Sequence, residues 1–404
     1  MKLIIICVFY PPFKSSAAIQ IQDLTFELLN QGHSVSVITP DNSINQRVIT
    51  ESNKNLNIYR FKTGKLTDIP FFRRTINEFI TPYKIILDIF LRSINLKNHD
   101  GIIWWSPSIF LSPLIIFLKL TNQCPSYLIV RDLFPKWAKD LNLINNKFLY
   151  KFFNIFFLFQ FLVADVVGIQ SKSNKKFIPE NILFKKINIK LLQNWYSPIS
   201  SKYKSKIDLK KTILKSKKVF IYAGNIGLAQ NIENIIYLAE RLQDSTDIGF
   251  LFVGRGSRYE FMSNLAKKMK IRNVLFYKQI PNNQLEDLYK QCIGGLVVLD
   301  ERHETHNIPG KMLSYLFAGL PVFALINKNH DLIKFINNNK IGFATDVYCI
   351  DFLAEKIKKF NSIISENKNI YSNCKNIAYK NFSTSKIAKQ ITESLAKKIS
   401  CNKP

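Results

Sequence analysis

The segment from residue 307 to residue 326 has the residue types best suited to binding an anion. Residues 307–310 read as a loop, and residues 311–318 read as a helix whose apolar positions recur every three or four residues. A glycine and a proline end this helix, and residues 322–326 form a buried strand. A helix start exposes free backbone N–H groups, and Lys311 adds a positive charge in the first turn. An ordinary loop–helix–strand unit has the same pattern, so this segment alone leaves both interpretations open.

Two glycine-containing loops upstream could approach a phosphate. Gly224, Asn225 and Gly227 stand between a predicted strand and a predicted helix, and Arg255 follows the next strand between two further glycines. Glycine lets the backbone come close to a phosphate and present N–H groups to it, and an arginine neutralises charge. The glycines could also serve only as turn residues. Taken with Lys311, these loops predict a site that could bind a phosphate-bearing ligand.

Asp132 is the carboxylate best placed for catalysis. It follows a predicted buried strand at the carboxyl edge of a sheet, and Arg131 precedes it. A carboxylate in that place can orient a hydroxyl group or accept its proton. The structural alternative is an ion pair or a helix cap, and the sequence does not decide between these roles.

The elements that position these residues alternate between strands and helices. In the first half we expect strands at residues 3–9, 34–39, 56–61, 101–105, 126–130 and 166–170, and helices at 19–31, 76–94 and 112–120. In the second half we expect strands at 218–222, 249–253, 274–277, 295–299 and 322–326, and helices at 231–243, 257–269, 284–291 and 311–318. This alternation predicts an α/β fold with a parallel, doubly wound sheet in each half.

The chain divides at a polar, basic stretch near residue 200. We expect an N-terminal domain over residues 1–197, a linker over 198–217, a C-terminal domain over 218–382 and a basic helix over 383–404. A length of 404 residues also favours two domains. Ligands of doubly wound sheets bind outside the carboxyl ends of the strands, so we expect them in a cleft between the two sheets.

The composition is that of a globular protein with excess positive charge. Hydrophobic residues make up 47% of the chain, enough for two cores, and this excludes disorder. The formal net charge of +28 is spread over both halves and accompanies no helix-turn-helix, zinc-finger or RNA-binding motif, so we expect no nucleic-acid partner. The six cysteines are scattered without metal-ligand spacing, which predicts a reduced compartment and no bound metal.

Two apolar stretches suit a membrane surface, and neither is suited to crossing a membrane. Residues 152–169 are strongly apolar but are interrupted by Asn154, Gln160 and Asp165. This stretch either lies flat on a bilayer or forms a buried helix that leads into a strand. Residues 71–74, two phenylalanines followed by two arginines, suit an anionic lipid surface. A helix packed on the core with a solvated basic end fits them equally.

The order of the motifs resembles one enzyme family. The N-terminal motifs are Tyr10-Pro11-Pro12, the run V-R-D-L-F-P over residues 130–135, and Gln193-Asn194-Trp195. With the two glycine loops and residues 309–322, they make nearly the whole chain resemble the retaining glycosyltransferases of family four. Within that family the chain looks most like the bacterial O-antigen and capsule transferases of the L-fucosamine transferase WbuB group. The resemblance implies the GT-B fold, in which two Rossmann-like doubly wound domains face each other across a cleft.

The resemblance also implies the residues of each site. The donor-binding residues would be Gly224, Asn225, Gly227, Arg255, His306, Gly310, Lys311 and Ser314. The acceptor-binding residues would be Ser15, Ser16 and Arg131, and the catalytic residue would be Asp132. His306 and Ser314 stand where the family has the two glutamates of its Glu-x7-Glu motif. We therefore expect Lys311 and Arg255 to hold the phosphate charge.

The implied reaction is transfer of a sugar, such as the N-acetylated amino sugar L-fucosamine, from a UDP-sugar. The implied acceptor is a sugar linked to undecaprenyl diphosphate, used in O-antigen or capsule biosynthesis. The protein would lie in the cytoplasm, peripherally on the inner face of the bacterial inner membrane, and would need no cofactor or metal beyond its UDP-sugar substrate. Two alternatives are a non-catalytic sugar-nucleotide-binding partner in a polysaccharide assembly complex and a GT-B sugar-nucleotide epimerase.

Overall fold

The chain folds into two compact units, each with its own sheet. The computed structural model describes residues 1–106, 108–178, 187–198, 203–244, 247–302 and 307–402. The first unit comprises Met1–Trp195 together with Thr384–Pro404, and the second unit comprises Tyr196–Ser383. The chain therefore leaves the first unit at Trp195 and returns to it for its C-terminal helix.

The first unit is built on an eight-stranded sheet. Its strands are β1 (Lys2–Ile6), β2 (Ser34–Asp41), β3 (Val48–Asn53), β4 (Leu56–Lys62), β5 (Gly101–Ser106), β6 (Ser126–Val130), β7 (Val166–Ile169) and β8 (Asn188–Leu191). They lie in the order β3-β4-β2-β1-β5-β6-β7-β8, and all pairs are parallel except the β3–β4 hairpin. Parallel strands buried on both faces need continuous apolar runs, and β1 and β6 have them.

Helices cover both faces of this sheet. They are α1 (Ser16–Asn30), α2 (Phe71–Leu91), α3 (Ser112–Asn122), α4 (Lys136–Asp140) and α5 (Lys147–Val163), with a 3-10 turn at Lys172–Phe177. Successive side chains of β1 alternate between the two faces. Leu3 and Ile5 therefore join the core under α1, whereas Ile4 and Ile6 join the core under α2, α3 and α5.

The second unit repeats the design with six parallel strands. They are β9 (Lys218–Asn225), β10 (Ile248–Arg255), β11 (Val274–Lys278), β12 (Gly294–Val298), β13 (Val322–Leu325) and β14 (Gly342–Thr345), in the order β11-β10-β9-β12-β13-β14. Its helices are α6 (Glu233–Leu242), α7 (Tyr259–Lys268), α8 (Asn282–Tyr289), α9 (Gly310–Ala318), α10 (Asp331–Asn338), α11 (Ile350–Glu366) and α12 (Asn369–Phe382). Short 3-10 turns lie at Leu209–Lys211 and Leu228–Gln230.

The last helix, α13 (Thr384–Asn402), packs on the first unit. Ile387, Ile391 and Leu395 are buried in the same core as β1 and α1. The sequence pattern predicted this helix without placing it. The predicted linker 198–217 falls within the second unit over its described residues, where Ile207 and Leu214 are buried in the core.

The doubly wound parallel sheets predicted from the sequence are confirmed. The apolar stretch 152–169 forms most of α5 and then β7, and α5 buries only one of its faces. Among the helices of the described ranges, none combines the length and apolar character needed to cross a membrane.

Candidate functional site

Lys311 lies where the sequence predicts an anion site, in the first turn of α9. Its Nζ sits 3.5 Å from the centroid of the Tyr222 ring, at the end of β9. It also lies beside Gly224, because a Cβ added to that glycine would be 3.7 Å from Nζ. The contact is therefore a cation–π interaction over an aromatic face, next to a glycine with a φ of +141°.

The Lys311 ammonium is poorly solvated and has no neutralising partner. Burial lowers its pKa from 10.5 to about 7, and desolvation is the only cause of this shift. No carboxylate among the described residues forms an ion pair with it. A desolvated cation without a counter-charge is unfavourable in the free protein, and a bound anion would relieve this cost.

One hydrogen bond joins β9 to α9, and a second one lies within the end of β9. The backbone N–H of Ala223 donates to the hydroxyl of Tyr315 at 2.7 Å, and the hydroxyl of Tyr222 donates to the carbonyl of Asn225 at 2.6 Å. These bonds fix the Tyr222 ring under Lys311 and keep Gly224 next to the helix start. Neither tyrosine stood out in the sequence, because each contact joins residues distant along the chain or depends on a specific loop shape.

The first glycine loop satisfies most of its own polar groups. The side-chain Oε1 of Gln230 accepts hydrogen bonds from the N–H of Gly227 at 3.0 Å and from Asn225 Nδ2 at 3.2 Å. The N–H of Ile226 donates to the carbonyl of Arg255 at 2.9 Å. The Gly227 N–H is thus already used within the loop, contrary to the expectation that it presents itself to a phosphate.

The second glycine loop serves close backbone packing. A Cβ on Gly254 would lie 1.9 Å from the carbonyl oxygen of Gly224, and a Cβ on Gly256 would lie 2.3 Å from that of Ile226. These glycines therefore let the ends of β9 and β10 touch. Arg255, between them, has an exposed side chain and forms no ion pair in the part of the chain described. It remains available to an anion.

The start of α9 offers free backbone donors beside Lys311. Pro309 is the N-cap residue and no side chain caps the helix, so the N–H groups of Gly310 and Lys311 have no helical partner. A Cβ on Gly310 would have nothing within 4 Å. Just upstream, Asn307 Oδ1 is buried and finds no hydrogen-bond partner among the described residues.

Ser314 lies one turn further along α9 and lines a cavity whose walls do not include Lys311. That cavity has a volume of about 360 Å³ and is also lined by Asn282, Glu286 and Tyr289. The Ser314 hydroxyl donates to the carbonyl of Lys311 at 2.8 Å and lies 3.3 Å from the Tyr289 hydroxyl. His306 lies outside the described residues.

Within the second unit, the predicted donor residues thus fall into two groups. Gly224, Asn225, Gly227, Arg255, Gly310 and Lys311 gather at the ends of β9 and β10 and the start of α9. Ser314 lies on the side of α9 that faces α8.

In the first unit, Ser15 has a structural task. It is the N-cap residue of α1, and its Oγ accepts a hydrogen bond from the N–H of Ala18 at 3.1 Å. Capping of this kind stabilises a helix by about 1 kcal/mol. Ser16 is the first residue of α1 and is exposed, so its hydroxyl is free to contact a ligand.

Arg131 belongs to a buried polar network. Its NH1 donates to Gln20 Oε1 at 2.6 Å, and Gln20 Nε2 donates to Asn194 Oδ1 at 2.7 Å. The guanidinium also lies over the Trp105 ring, 5.7 Å from its centroid, and Trp195 Nε1 donates to the Gln20 carbonyl. Arg131 therefore connects β6, α1 and the end of the first unit.

Asp132 points away from this network into an aromatic pocket. The pocket has a volume of about 410 Å³, and Phe71, Phe110, Trp137 and Phe153 are among its walls. Within the described ranges Asp132 has no ion pair and no hydrogen bond, and the nearby helix α4 has no side-chain cap. The two structural roles left open by the sequence, ion pair and cap, are thus absent there. Among the described residues, no group of three or more His, Cys, Asp or Glu could hold a metal ion.

Sequence comparisons find similarity to known proteins over parts of the chain. Residues 204–381 match the family model described as glycosyl transferases group 1. The probable glycosyltransferase WbjE of Pseudomonas aeruginosa is 26% identical over 129 residues, which cover 32% of this chain and 32% of that protein. The putative colanic acid biosynthesis glycosyl transferase WcaI of Escherichia coli (strain K12) is 33% identical over 104 residues, covering 26% and 25%. The matches span a third or less of these relatives.

Solved structures of low sequence identity share the fold over the whole chain. Sucrose-phosphate synthase from Thermosynechococcus elongatus aligns with a TM-score of 0.73 at 14% identity, over 99% of this chain and 100% of that one. WaaG, a glycosyltransferase involved in lipopolysaccharide biosynthesis, aligns with a TM-score of 0.63 at 14% identity, over 97% and 99%. Anabaena HepE, solved in complex with UDP, aligns with a TM-score of 0.65 at 13% identity, over 98% and 100%. Residues 204–381 are therefore similar to the group 1 glycosyl transferases, and the chain has the GT-B fold of two α/β domains with parallel sheets.

Proposed function

We propose that this protein is a retaining glycosyltransferase that moves a sugar from a UDP-sugar to a lipid-linked acceptor. The observation that carries the proposal is the Lys311 ammonium, desolvated and without an ion-pair partner among the described residues, at the uncapped start of α9. The family match over residues 204–381 supports a sugar-nucleotide donor for this site. UDP is favoured because the fold neighbour HepE was solved with it.

The second unit would bind the donor through its diphosphate. Lys311, Arg255 and the free N–H groups of α9 offset the negative charge that grows as the sugar–phosphate bond breaks. Gly224 and Gly310 leave room for the phosphates beside these groups. The Ser314 cavity would take the nucleoside, with the serine hydroxyl bound to the ribose.

The first unit would bind the acceptor near Asp132. In the proposed reaction the acceptor oxygen forms a bond to the anomeric carbon while the bond to the diphosphate breaks. Either the acceptor proton passes to the departing phosphate while the Asp132 carboxylate orients the hydroxyl, or Asp132 takes the proton in place of the phosphate. This carboxylate has no competing partner in the described ranges, which suits either role.

The finer assignment rests on the motif at residues 130–135 and on the relatives. It is transfer of an N-acetylated amino sugar such as L-fucosamine to an undecaprenyl-diphosphate-linked sugar, in O-antigen or capsule biosynthesis. WcaI is described as a putative glycosyl transferase of colanic acid biosynthesis, and WaaG as a glycosyltransferase involved in lipopolysaccharide biosynthesis. We place the protein in the cytoplasm, peripherally on the inner face of the inner membrane. Exposed Phe72 and Arg73 at the start of α2 support that location.

Thermal unfolding with UDP, GDP and ADP in turn tests the donor. At about 100 times its dissociation constant, a ligand stabilises the fold by about 2.7 kcal/mol, which is an easily measured shift. We expect UDP to raise the melting temperature and GDP and ADP to do so less. The proposal is wrong if none of the three nucleotides raises it.

A second candidate is a non-catalytic sugar-nucleotide-binding partner. The observation that favours it is the substitution of both family glutamates, by His306 and Ser314. Such a protein would bind UDP but would release no UDP from a UDP-sugar in the presence of a lipid-linked acceptor. A GT-B epimerase would convert its donor without any acceptor, so one assay with and without acceptor separates the three functions.

A further inference from the structure

An aromatic pocket in the first unit has walls better suited to hydrocarbon than to a sugar. Its volume is about 410 Å³, within the range of roughly 300–1,000 Å³ for small-molecule sites. The apolar walls come from α2, α4, α5 and the loops before α3, after β6 and between α4 and α5: Phe71, Ile109, Phe110, Phe134, Trp137, Ala138, Leu143, Ile144 and Phe153. The rings pack edge to face around Phe153, which contacts Phe71 at 5.8 Å and Phe134 at 5.1 Å between centroids.

The polar residues that line this pocket are few. They are Asp132, Thr75 and the ion pair between Arg74 and Glu78, whose Nε and Oε1 atoms are 2.7 Å apart. A pocket with mostly apolar walls and a small polar set fixes a ligand that is apolar along one part and charged at one end. A free sugar would leave its hydroxyl groups unpaired against the aromatic rings.

The two long helices that form the pocket carry apolar side chains on their solvent side. On α2 these are Phe72, Ile76, Ile80, Tyr83, Leu87 and Phe90, and on α5 they are Phe148, Phe152, Ile155, Phe159 and Leu162. Their spacing of three or four residues puts each set on one helix face. Phe72 is 75% exposed and Phe148 is 86% exposed. Phe79 of α2 contacts Phe156 of α5 at 5.7 Å, so the two faces are neighbours.

The charge around these faces matches an anionic lipid surface. Exposed Arg73 and Lys84 lie on α2, and exposed Lys147 and Lys151 lie at the start of α5. Helix α5 contains no Asp or Glu in its 17 residues. Protein–protein interfaces are depleted in lysine, whereas helices that lie in a bilayer surface combine Phe and Leu with Lys and Arg.

We propose that the aromatic pocket binds the hydrocarbon chain of a phosphate-bearing lipid, which reaches it from a bilayer contacted by the exposed faces of α2 and α5. Phe71, half exposed, belongs both to α2 and to the pocket wall, so the bilayer face and the pocket are continuous. Arg73, exposed at the same end of α2 and outside any ion pair of the described residues, holds the lipid phosphate, which leaves the head group near Asp132. This inference rests on the proposed function for its lipid-linked acceptor.

Titration of the full chain with soluble lipid phosphates tests the pocket. The probes are farnesyl phosphate, dodecyl phosphate and inorganic phosphate, and the signal is the fluorescence of Trp137 in the pocket wall. A Trp137→Phe variant gives the background from the other tryptophans. We expect both chain-bearing phosphates to bind at least tenfold more tightly than inorganic phosphate. Tighter binding of farnesyl phosphate identifies the acceptor lipid as the source, and tighter binding of dodecyl phosphate identifies the bulk lipid.

Substitutions at the exposed rim locate the site without disturbing the core. Phe71→Asp and Leu143→Asp each place a charge where the chain enters, and we expect each to weaken binding of the chain-bearing phosphates about tenfold or more. Phe261→Asp in the second unit is the matched control, because Phe71 is 51% exposed and Phe261 is 52% exposed. The control should bind like the wild type.

The inference is overturned if inorganic phosphate binds as well as the lipid phosphates, or if the rim variants bind like the control. It is also overturned if the chain forms dimers that Phe71→Asp dissolves while no lipid phosphate binds, since a second copy would then cover this face. The UDP-induced thermal shift is measured in the same samples. A protein that responds to UDP but not to lipid phosphate disproves only the lipid pocket, whereas a protein that responds to neither disproves the proposed function too.

Discussion

Replacing Lys311 by methionine should make the protein more stable while it weakens nucleotide binding. The pKa of Lys311 is lowered from 10.5 to about 7, which corresponds to roughly 5 kcal/mol at about 1.4 kcal/mol per pKa unit. The cation–π contact with Tyr222 offsets about 2 kcal/mol of this cost, and remaining solvent contact of the half-buried side chain lowers it further. We therefore expect Lys311→Met to raise the free energy of unfolding by about 3 kcal/mol or less near pH 6.

The lowered pKa of Lys311 also determines how the stability difference between variant and wild type changes with pH. The folded-state pKa lies below the unfolded value, so between pH 7 and pH 10.5 the unfolded chain holds a proton at this lysine that the folded protein has released. The wild type thus gains stability from this group as the pH rises through that window, and the full cost is present below pH 7. The advantage of Lys311→Met should be largest at pH 6 and should fade towards pH 10.

Urea denaturation at pH 6, 8 and 10, with and without UDP, is the assay. Lys267→Met, which changes an exposed lysine of α7, is the control and should alter stability by less than about 0.5 kcal/mol. Loss of a charge-assisted hydrogen bond to the diphosphate, worth about 1.5–3 kcal/mol, should weaken UDP binding about 10- to 100-fold in Lys311→Met. In the wild type, UDP affinity should fall as the pH rises from 7 to 9. The reasoning is refuted if Lys311→Met destabilises the protein at pH 6 and binds UDP like the wild type, because Lys311 would then be a structural cation on the Tyr222 ring.

Three further substitutions separate ligand binding from folding. Gly310→Ala should leave the melting temperature unchanged, because the added Cβ would meet no protein atom within 4 Å. It should weaken UDP binding, because the same Cβ would enter the space that we assign to a phosphate. Equal UDP affinity of variant and wild type would contradict this. Gly254→Ala should lower the free energy of unfolding by at least about 3 kcal/mol in urea, because its Cβ would lie 1.9 Å from the carbonyl oxygen of Gly224; unchanged stability would show that the strand ends can separate. Asp132→Asn should reduce transfer about 100-fold in a UDP-release assay with acceptor and leave the UDP-induced thermal shift intact; near-normal turnover would exclude the base role.

The doubly wound architecture could be predicted because it depends on local patterns. Strand β6 has the bounds expected from its run of buried residues, and α9 begins within one residue of its expected start. Strand β3 was not predicted, because most of its residues are polar, all are half-buried or exposed, and it lies at the edge of the sheet beside β4. The fold of residues 331–382 and the docking of α13 were also not predicted, since amphipathic patterns do not say which surface a helix packs on.

The candidate donor site was predictable in its residue types but not in its contacts. Lys311 was identified from its place in a helix start, whereas its cation–π partner Tyr222 lies 89 residues upstream and could be found only in the folded chain. The glycines were assigned to phosphate binding as a group. The structure separates them, since Gly254 is required where two strands meet and Gly224 borders the open side of Lys311. Spacing alone cannot make this distinction, because both glycines follow a strand.

The adjacent residues Arg131 and Asp132 show why a motif does not fix one shared role. Arg131 and Asp132 follow the end of β6 and have different surroundings. Arg131 bonds to Gln20 of α1, whose side chain bonds in turn to Asn194, while Asp132 lines the aromatic pocket. A half-buried guanidinium that bonds to Gln20 holds the end of β6 against α1, and a carboxylate without a partner in the described ranges is free to act on a ligand. The arginine then positions the end of β6 from which the loop with Asp132 begins, so the two residues contribute to the same site by different physical means and need not touch one substrate.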